Sequence, residues 1–320
     1  MDMGNTGKSS TAVAVGQKKK AAIPMGVKLF LLVLPFLVLV FLFSYYPLNG
    51  WRYAFYDYRA PLDLSQCEFV GFKWFKFLFQ NPTQVSQLLK VLRNTFAMSA
   101  LTIVTSFLPV IFAIFLNEIK CKWFKTLVQT LTTLPNFISW VLVYSVAFAL
   151  FSDTGMVNTV LQNIGITTDV VKFLDSDAHT WLWMLAWSTW KGLGWGSIMY
   201  LAGIAGTDQE LYEAARVDGA GRFKLMRHIT LPALMPTFFV LLMMSLANFL
   251  TNGLDQYFVF SNSFNMEHIQ VLDLYVYKLG MSSNSIPLAT AVGMLKSLIS
   301  VILFCVVNFV SKKTRGESIM

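Results

Sequence analysis

Charge is the scarcest commodity in this sequence: only 13% of its 320 residues are Asp, Glu, Lys or Arg. A water-soluble domain carries about 25%, and 55% hydrophobic residues with a mean hydropathy of +0.56 point to lipid as the main solvent. Cysteine is nearly absent. Cys67, Cys121 and Cys305 are scattered, with no C-x-x-C, which excludes a disulfide framework and a cysteine zinc site. His179, His228 and His268 stand alone, without metal-ligand spacing. No G-x-S-x-G and no H-E-x-x-H occurs. The stretch GNTGKSS (4–10) is an incomplete phosphate loop, because Asp2 stands where a Walker A loop needs its first glycine and no strand precedes it. It reads as a tail. Any ATP and Mg would have to sit on another chain, and no cofactor is expected here.

Long apolar runs are what is present. A helix crossing a bilayer needs roughly 20 apolar residues, and six stretches qualify: 28–47, 93–116, 127–151, 181–205, 232–252 and 287–310. The first follows Lys18, Lys19 and Lys20 but has no small-x-small cleavage site, so it reads as an uncleaved span. With the N-terminus inside, the inner segments hold fourteen lysines and arginines and the outer loops seven. By the positive-inside rule both termini are expected in the cytoplasm. The net charge of +8 then follows from topology, and nucleic-acid binding is not expected. The division is a tail at 1–24, a membrane domain at 25–312 with a cytoplasmic loop at 206–231, and a tail at 313–320.

That loop carries the longest helix-prone charged stretch between any two spans. Thr207 with Glu210 forms a capping-box pattern, so a helix is expected from Asp208 to about Asp218, stopped by Gly219. A second short helix would carry Phe223, Leu225 and Met226 on one side, and Pro232 would open the next span. Leu211, Ala214 and Ala215 share one face, framed by Glu213 and Arg216. Two readings stay open on these grounds: a plug for a soluble partner, or a helix lying on the headgroups.

The pattern E-A-A, three residues, G, nine residues, I-x-L-P is met by Glu213-Ala214-Ala215, Gly219, Ile229, Leu231 and Pro232. It resembles the signature of membrane subunits of binding-protein-dependent ABC importers of the maltose type. FVGFKWF (69–75), Asn81-Pro82, RNT (93–95), LPNFISW (134–140) and GMVN (155–158) are similar to the sugar-importer branch, over roughly 25–312. VLDLYVYKLG (271–280) is similar to permeases for acidic oligosaccharides such as alginate or aldouronate fragments. The resemblance implies an all-α integral membrane protein with the type I importer permease fold in a bacterial plasma membrane. It also implies a second homologous permease, two ATPase subunits that receive a cytoplasmic coupling helix at Glu213, Ala214, Ala215, Asp218 and Gly219, an extracytoplasmic solute-binding protein, and an oligosaccharide substrate. The chain departs from the maltose subunit in having six expected spans rather than eight and no large inserted extracellular domain.

Lys191 and Lys296 lie within the fourth and sixth runs, and no acidic residue lies in the core of any run. Charges in lipid are functional by default. Snorkelling, a carboxylate from a partner and contact with an anionic substrate are the three readings. Around Lys191, WSTWKGLGWG (187–196) holds glycines that could open the helix and tryptophans that could stack on sugars, or that simply pack helices. By spacing from the E-A-A motif, the resemblance puts sugar contacts near Thr189, Gly192 and Trp195, with Trp190 and Lys191 beside them, then near Ser245, Asn248, Phe249 and Asn252. Asn136, Trp140 and Tyr144 are weaker candidates, since Pro135 is also a simple kink. The competing classes are a stand-alone carrier or channel, which would need coupling-ion ligands or internal repeats, and a membrane enzyme for lipid-linked sugars, which would need clustered acids or nucleophiles at one face.

Overall fold

The structure, a computed structural model, describes residues 24–315. The glycine-rich N-terminal stretch and the tail beyond Arg315 lie outside the described residues. The chain divides into two compact units, 1–50 and 51–320. The first contains helix α1 (Met25–Val40) and a π-helical turn at Phe41–Tyr45. All of the site described below belongs to the second.

Among the described residues there is no strand, only one antiparallel bridge between Tyr56 and Phe69. The second unit opens with α2 (Lys73–Gln80), α3 (Pro82–Val104) and α4 (Leu108–Glu118). Asn81 starts α3 as its N-cap: its Oδ1 accepts from the Thr83 N–H at 3.0 Å, and Pro82 takes the first helical position, where no N–H is needed. Next come α5 (Lys122–Thr133), α6 (Trp140–Phe151), α7 (Met156–Asn163) and the 26-residue α8 (Thr180–Ala205). Then follow α9 (Gln209–Val217), α10 (Arg222–Leu225), α11 (Leu231–Ala247), three short helices α12 (Asp255–Phe260), α13 (Met266–Ile269) and α14 (Leu272–Tyr277), and the long α15 (Ile286–Arg315).

Among the described residues, five helical stretches are long and apolar enough to cross a membrane: Met25–Phe55, Pro82–Glu118, Trp140–Asn163, Arg222–Ala247 and Ile286–Lys313. Two expectations change. The run at 127–151 is not one helix: α5 stops at Thr133, a 3-10 turn covers Leu134–Phe137, and α6 begins after Ser139, whose hydroxyl accepts from the Leu142 N–H at 3.4 Å. Pro135 causes more than a kink because Ser139 supplies a fresh N-cap four residues on. The run at 181–205 is a continuous helix but falls short in hydropathy. Its two halves pack into separate cores, with Met184 beside Met98, Val143 and Phe260, and Tyr200 and Ile204 beside Val110, Ile114 and Leu234. One side of the helix packs against protein and tolerates glycine there, while Leu182, Trp190, Trp195 and Met199 stay exposed.

The glycines of α8 do not open it. A Cβ on Gly194 would lie 2.3 Å from the Thr132 carbonyl, and one on Gly196 would lie 3.3 Å from the Pro109 ring. These glycines permit close helix approach, the packing role small residues play in membranes. Gly192 has nothing within 4 Å of such a Cβ. Elsewhere the RNT motif fastens α13 and α14 to α3. Asn94, 1% exposed, donates to the Glu267 and Gln270 carbonyls at 2.9 and 3.1 Å, and Thr95 accepts from the Leu272 N–H at 2.9 Å. The GMVN asparagine, Asn158, bonds both the N–H and the carbonyl of Val171 at 3.0 Å and pins the 152–171 loop.

The glycine contacts generate a contrast. Gly194→Val should cost about 1–3 kcal/mol or more through overpacking against a backbone that cannot yield. Gly192→Ala should leave stability within about 0.5 kcal/mol. Thermal unfolding of the detergent-solubilised protein measures both, and equal losses would refute the packing account.

Candidate functional site

A cavity of about 570 Å³ opens between α3, α8, α11 and the loop after α11. Its wall includes Ser99, Thr102, Thr105 and Ser106 from the α3 side, Ser188, Thr189, Gly192 and Tyr200 from α8, and Ser245, Asn248, Phe249, Thr251, Asn252, Gln256 and Tyr257 beyond. Apolar contacts come from Leu185, Leu193, Phe238 and Leu241. No charged side chain lines it. Several of the polar groups are already oriented by the backbone: Ser245 donates to the Leu241 carbonyl at 3.0 Å, Asn248 to the Met244 carbonyl at 2.9 Å, and Gln256 to the Met184 carbonyl at 2.7 Å.

The loop after α11 is shaped by a charge network. Helix α11 ends at Ala247, and Gly253 takes a left-handed φ of +85°. Asp273 Oδ2 accepts the N–H groups of Asn252 and Gly253 at 2.9 and 3.0 Å, while its Oδ1 pairs with Lys296 Nζ. Asn252 Nδ2 donates to the Ser99 hydroxyl at 2.9 Å, and that hydroxyl donates to the Phe249 carbonyl. The Oδ1 of Asn252 is buried and has no hydrogen-bond partner.

Of the expected sugar contacts, Thr189, Gly192, Ser245, Asn248, Phe249 and Asn252 come together on this wall. Trp190, Lys191 and Trp195 do not line it. Trp190 meets Trp187 edge to face, and Trp195 meets Phe137 in the same way. Lys191 meets no carboxylate among the described residues, but it is not without hydrogen-bond partners. Its Nζ donates to the Pro135 and Asn136 carbonyls at 3.1 and 2.8 Å and lies 5.4 Å from the Trp140 ring centre. Lys296 is not unpaired, since Asp273 meets it from outside the apolar runs. The α3 hydroxyls were missed, although Ser99, Thr102 and Ser106 stand at i, i+3 and i+7 in an apolar run, a helical-face signal.

Helix α9 has no buried residue. Its N-cap is Asp208 rather than Thr207: Asp208 accepts from the Glu210 N–H at 2.9 Å, while Thr207 turns back to the Gly203 carbonyl at 3.1 Å. Asp208 wins because its carboxylate also answers the positive helix end. Glu213, Ala214 and Asp218 are exposed and Ala215 is half-buried. Gly219 ends the helix at φ +78°. Tyr212 ties α9 to the base of α11 through the Thr230 hydroxyl at 3.0 Å. Leu225 is buried but Phe223 is 70% exposed, so the two do not share a buried side. The π turn at Met226–Thr230 widens the helix just before Pro232, whose ring would crowd the His228 carbonyl of a regular turn.

Residues 105–316 match the family model for the binding-protein-dependent transport system inner membrane component. Protein LplB of Bacillus subtilis strain 168 is 39% identical over 294 residues, covering 91% of this chain and 90% of that one. The polygalacturonan/rhamnogalacturonan transport system permease protein YteP of the same strain is 36% identical, covering 91% and 89%. A chain in the crystal structure of a bacterial alginate ABC transporter, in complex with an alginate pentasaccharide-bound periplasmic protein, superposes with a TM-score of 0.80 at 30% identity, over 92% of this chain and 96% of that one. The chain belongs to the family of binding-protein-dependent transport system inner membrane components. It is an ABC-transporter permease subunit, an integral membrane protein and not itself an enzyme. Membership removes the stand-alone carrier and the lipid-linked-sugar enzyme.

The place of Lys191 makes a prediction. Lys191→Met should destabilise the protein by about 1.5–3 kcal/mol, the range for hydrogen bonds to charged groups. The substrate concentration for half-maximal uptake should stay unchanged. A thermal-shift measurement beside an uptake curve checks it, and an altered half-saturation without lost stability would return Lys191 to the substrate.

Proposed function

We propose that this chain is one of two related permeases of an ATP-driven importer that moves an acidic oligosaccharide across a bacterial plasma membrane. The carrying observation is the cavity wall, rich in hydroxyls and amides yet free of charge. Hydroxyl and amide groups match a sugar's donors and acceptors, and the volume falls in the range of roughly 300–1,000 Å³ typical of small-molecule sites. A fixed cation would hold a carboxylate too firmly, and transport needs a site that can also let go, as in other conduction paths. The acidic assignment draws on the substrates of two relatives, polygalacturonan/rhamnogalacturonan and alginate. A neutral oligosaccharide is the second reading, favoured by the arabinooligosaccharide permease AraP of Bacillus subtilis strain 168 at 26% identity.

In this proposal α8 is a sixth span despite its modest hydropathy, because its 26 residues extend about 39 Å at 1.5 Å per residue. Both termini and the 206–231 loop are cytoplasmic. Helix α9 is the coupling helix. It presents Glu213 and Ala214 to solvent, with Val217 89% exposed, a surface suited to a cleft in an ATPase subunit. A loaded solute-binding protein and ATP would favour the same outward-open state, which linkage requires if the two are to cooperate.

Two measurements test it. Glu213→Lys with Gly219→Pro reverses a charge on α9 and forbids the +78° turn, whose N–H also bonds the Arg216 carbonyl at 3.0 Å. Co-purification of the ATPase subunits should fall at least tenfold while the permease stays folded; unchanged assembly and ATPase rate would refute the coupling role. In proteoliposomes with the full transporter, trigalacturonate uptake should exceed that of an arabinotriose, and the reverse order would establish the neutral reading.

A further inference from the structure

We infer that Asp273 is a positioning residue for the transport cavity, holding Asn252 in its place in the cavity wall, and that Lys296 serves to balance the Asp273 charge. The inference rests on the proposal that the cavity carries the substrate. Asn252 is fixed at three points. Its N–H and that of Gly253 both bond Asp273 Oδ2. Its side-chain nitrogen bonds Ser99, whose own proton is committed to the Phe249 carbonyl. Ser99 can therefore only accept from Asn252, and this sets which end of the amide is nitrogen. What remains is Asn252 Oδ1, buried on a cavity-lining residue and unmatched. A buried acceptor without a donor is costly, so a small shift of this loop that opens the oxygen to the cavity would favour a ligand that brings a hydroxyl or N–H to it.

Asp273 suits this task because a carboxylate accepts hydrogen bonds from two adjacent N–H groups more strongly than a neutral oxygen does. Its side chain and that of Lys296 are 16% and 17% exposed, so neither charge could be left alone at low cost. The clamp also crosses the fold. It joins the loop after α11 to α14 and to α15, so Asn252 is held by two elements that do not themselves line the cavity.

The test compares two uncharged double variants of similar size in the reconstituted full transporter. Asp273→Asn with Lys296→Met keeps one oxygen on the two N–H groups; Asp273→Leu with Lys296→Met removes it. Trigalacturonate and arabinotriose uptake are measured over a range of concentrations, with the amount of permease that co-purifies with the ATPase subunits as the readout of folding and assembly. The expected result is a half-saturating concentration within about threefold of wild type for the first pair and at least tenfold higher for the second, with co-purified permease within twofold for both. Asn252→Ala should raise it by a similar factor, and its effect should be lost on the Leu/Met background. If Asn252→Ala raises half-saturation but the two double variants match each other, Asp273 is scaffold only and this inference falls while the cavity assignment stands. If Asn252→Ala changes uptake of neither sugar, the cavity assignment falls and this inference with it.

Discussion

A peptide group at the end of a broken helix in an apolar setting must find its hydrogen-bond partner inside the protein, because no water stands by to supply one. Two such breaks organise this chain, one at 134–139 and one at 248–254. Each is met by a single charged side chain of the matching sign. Lys191 offers protons to two carbonyls at the first break, and Asp273 accepts protons from two N–H groups at the second. The charges are thus spent on backbone rather than on solute. That is why the cavity beside the second break can be walled by neutral groups alone.

The same pairing accounts for what the sequence could and could not tell. Apolar runs, the E-A-A spacing, Gly219 as a helix stop and the convergence of six of the nine expected contact positions on one cavity wall were legible, since they depend on local pattern or on a motif of fixed spacing. The partners of the two lysines were not. Lys191 is answered by the Pro135 and Asn136 carbonyls, which lie outside the α-helical ladder because α5 ends at Thr133. Lys296 is answered by an aspartate 23 residues upstream, outside every apolar run. Counting acids within a span is a poor test of pairing when helices are broken and loops fold back against them. The α8 glycines were misjudged for a related reason. Their purpose depends on the approach of Thr132 and Pro109, which no window along one helix contains.

Helix α9 poses the opposite problem. It is short, exposes most of its surface and buries nothing, so its own packing cannot explain why it is ordered. Its order comes from its ends. Asp208 caps the start, Gly219 closes the stop, and Tyr212 reaches Thr230 at the foot of α11. Force applied to such a helix passes into α11 through one hydrogen bond and the short α10 linker, with Leu225 as its buried anchor.

That route leads toward the cavity. Helix α11 runs from the α9 side to Asn248, and the Asp273 clamp begins four residues beyond Asn248, at Asn252. A displacement of α11 along its axis would press on a loop whose two N–H groups are held by a carboxylate anchored to α15. The loop must then either carry Asn252 with it or give up those bonds. A cavity wall built this way can change its grip on a solute through a small shift of one helix, without a charged group having to enter or leave the site. For a permease that must bind its cargo loosely enough to release it, a neutral wall on a charge-fixed hinge meets both demands.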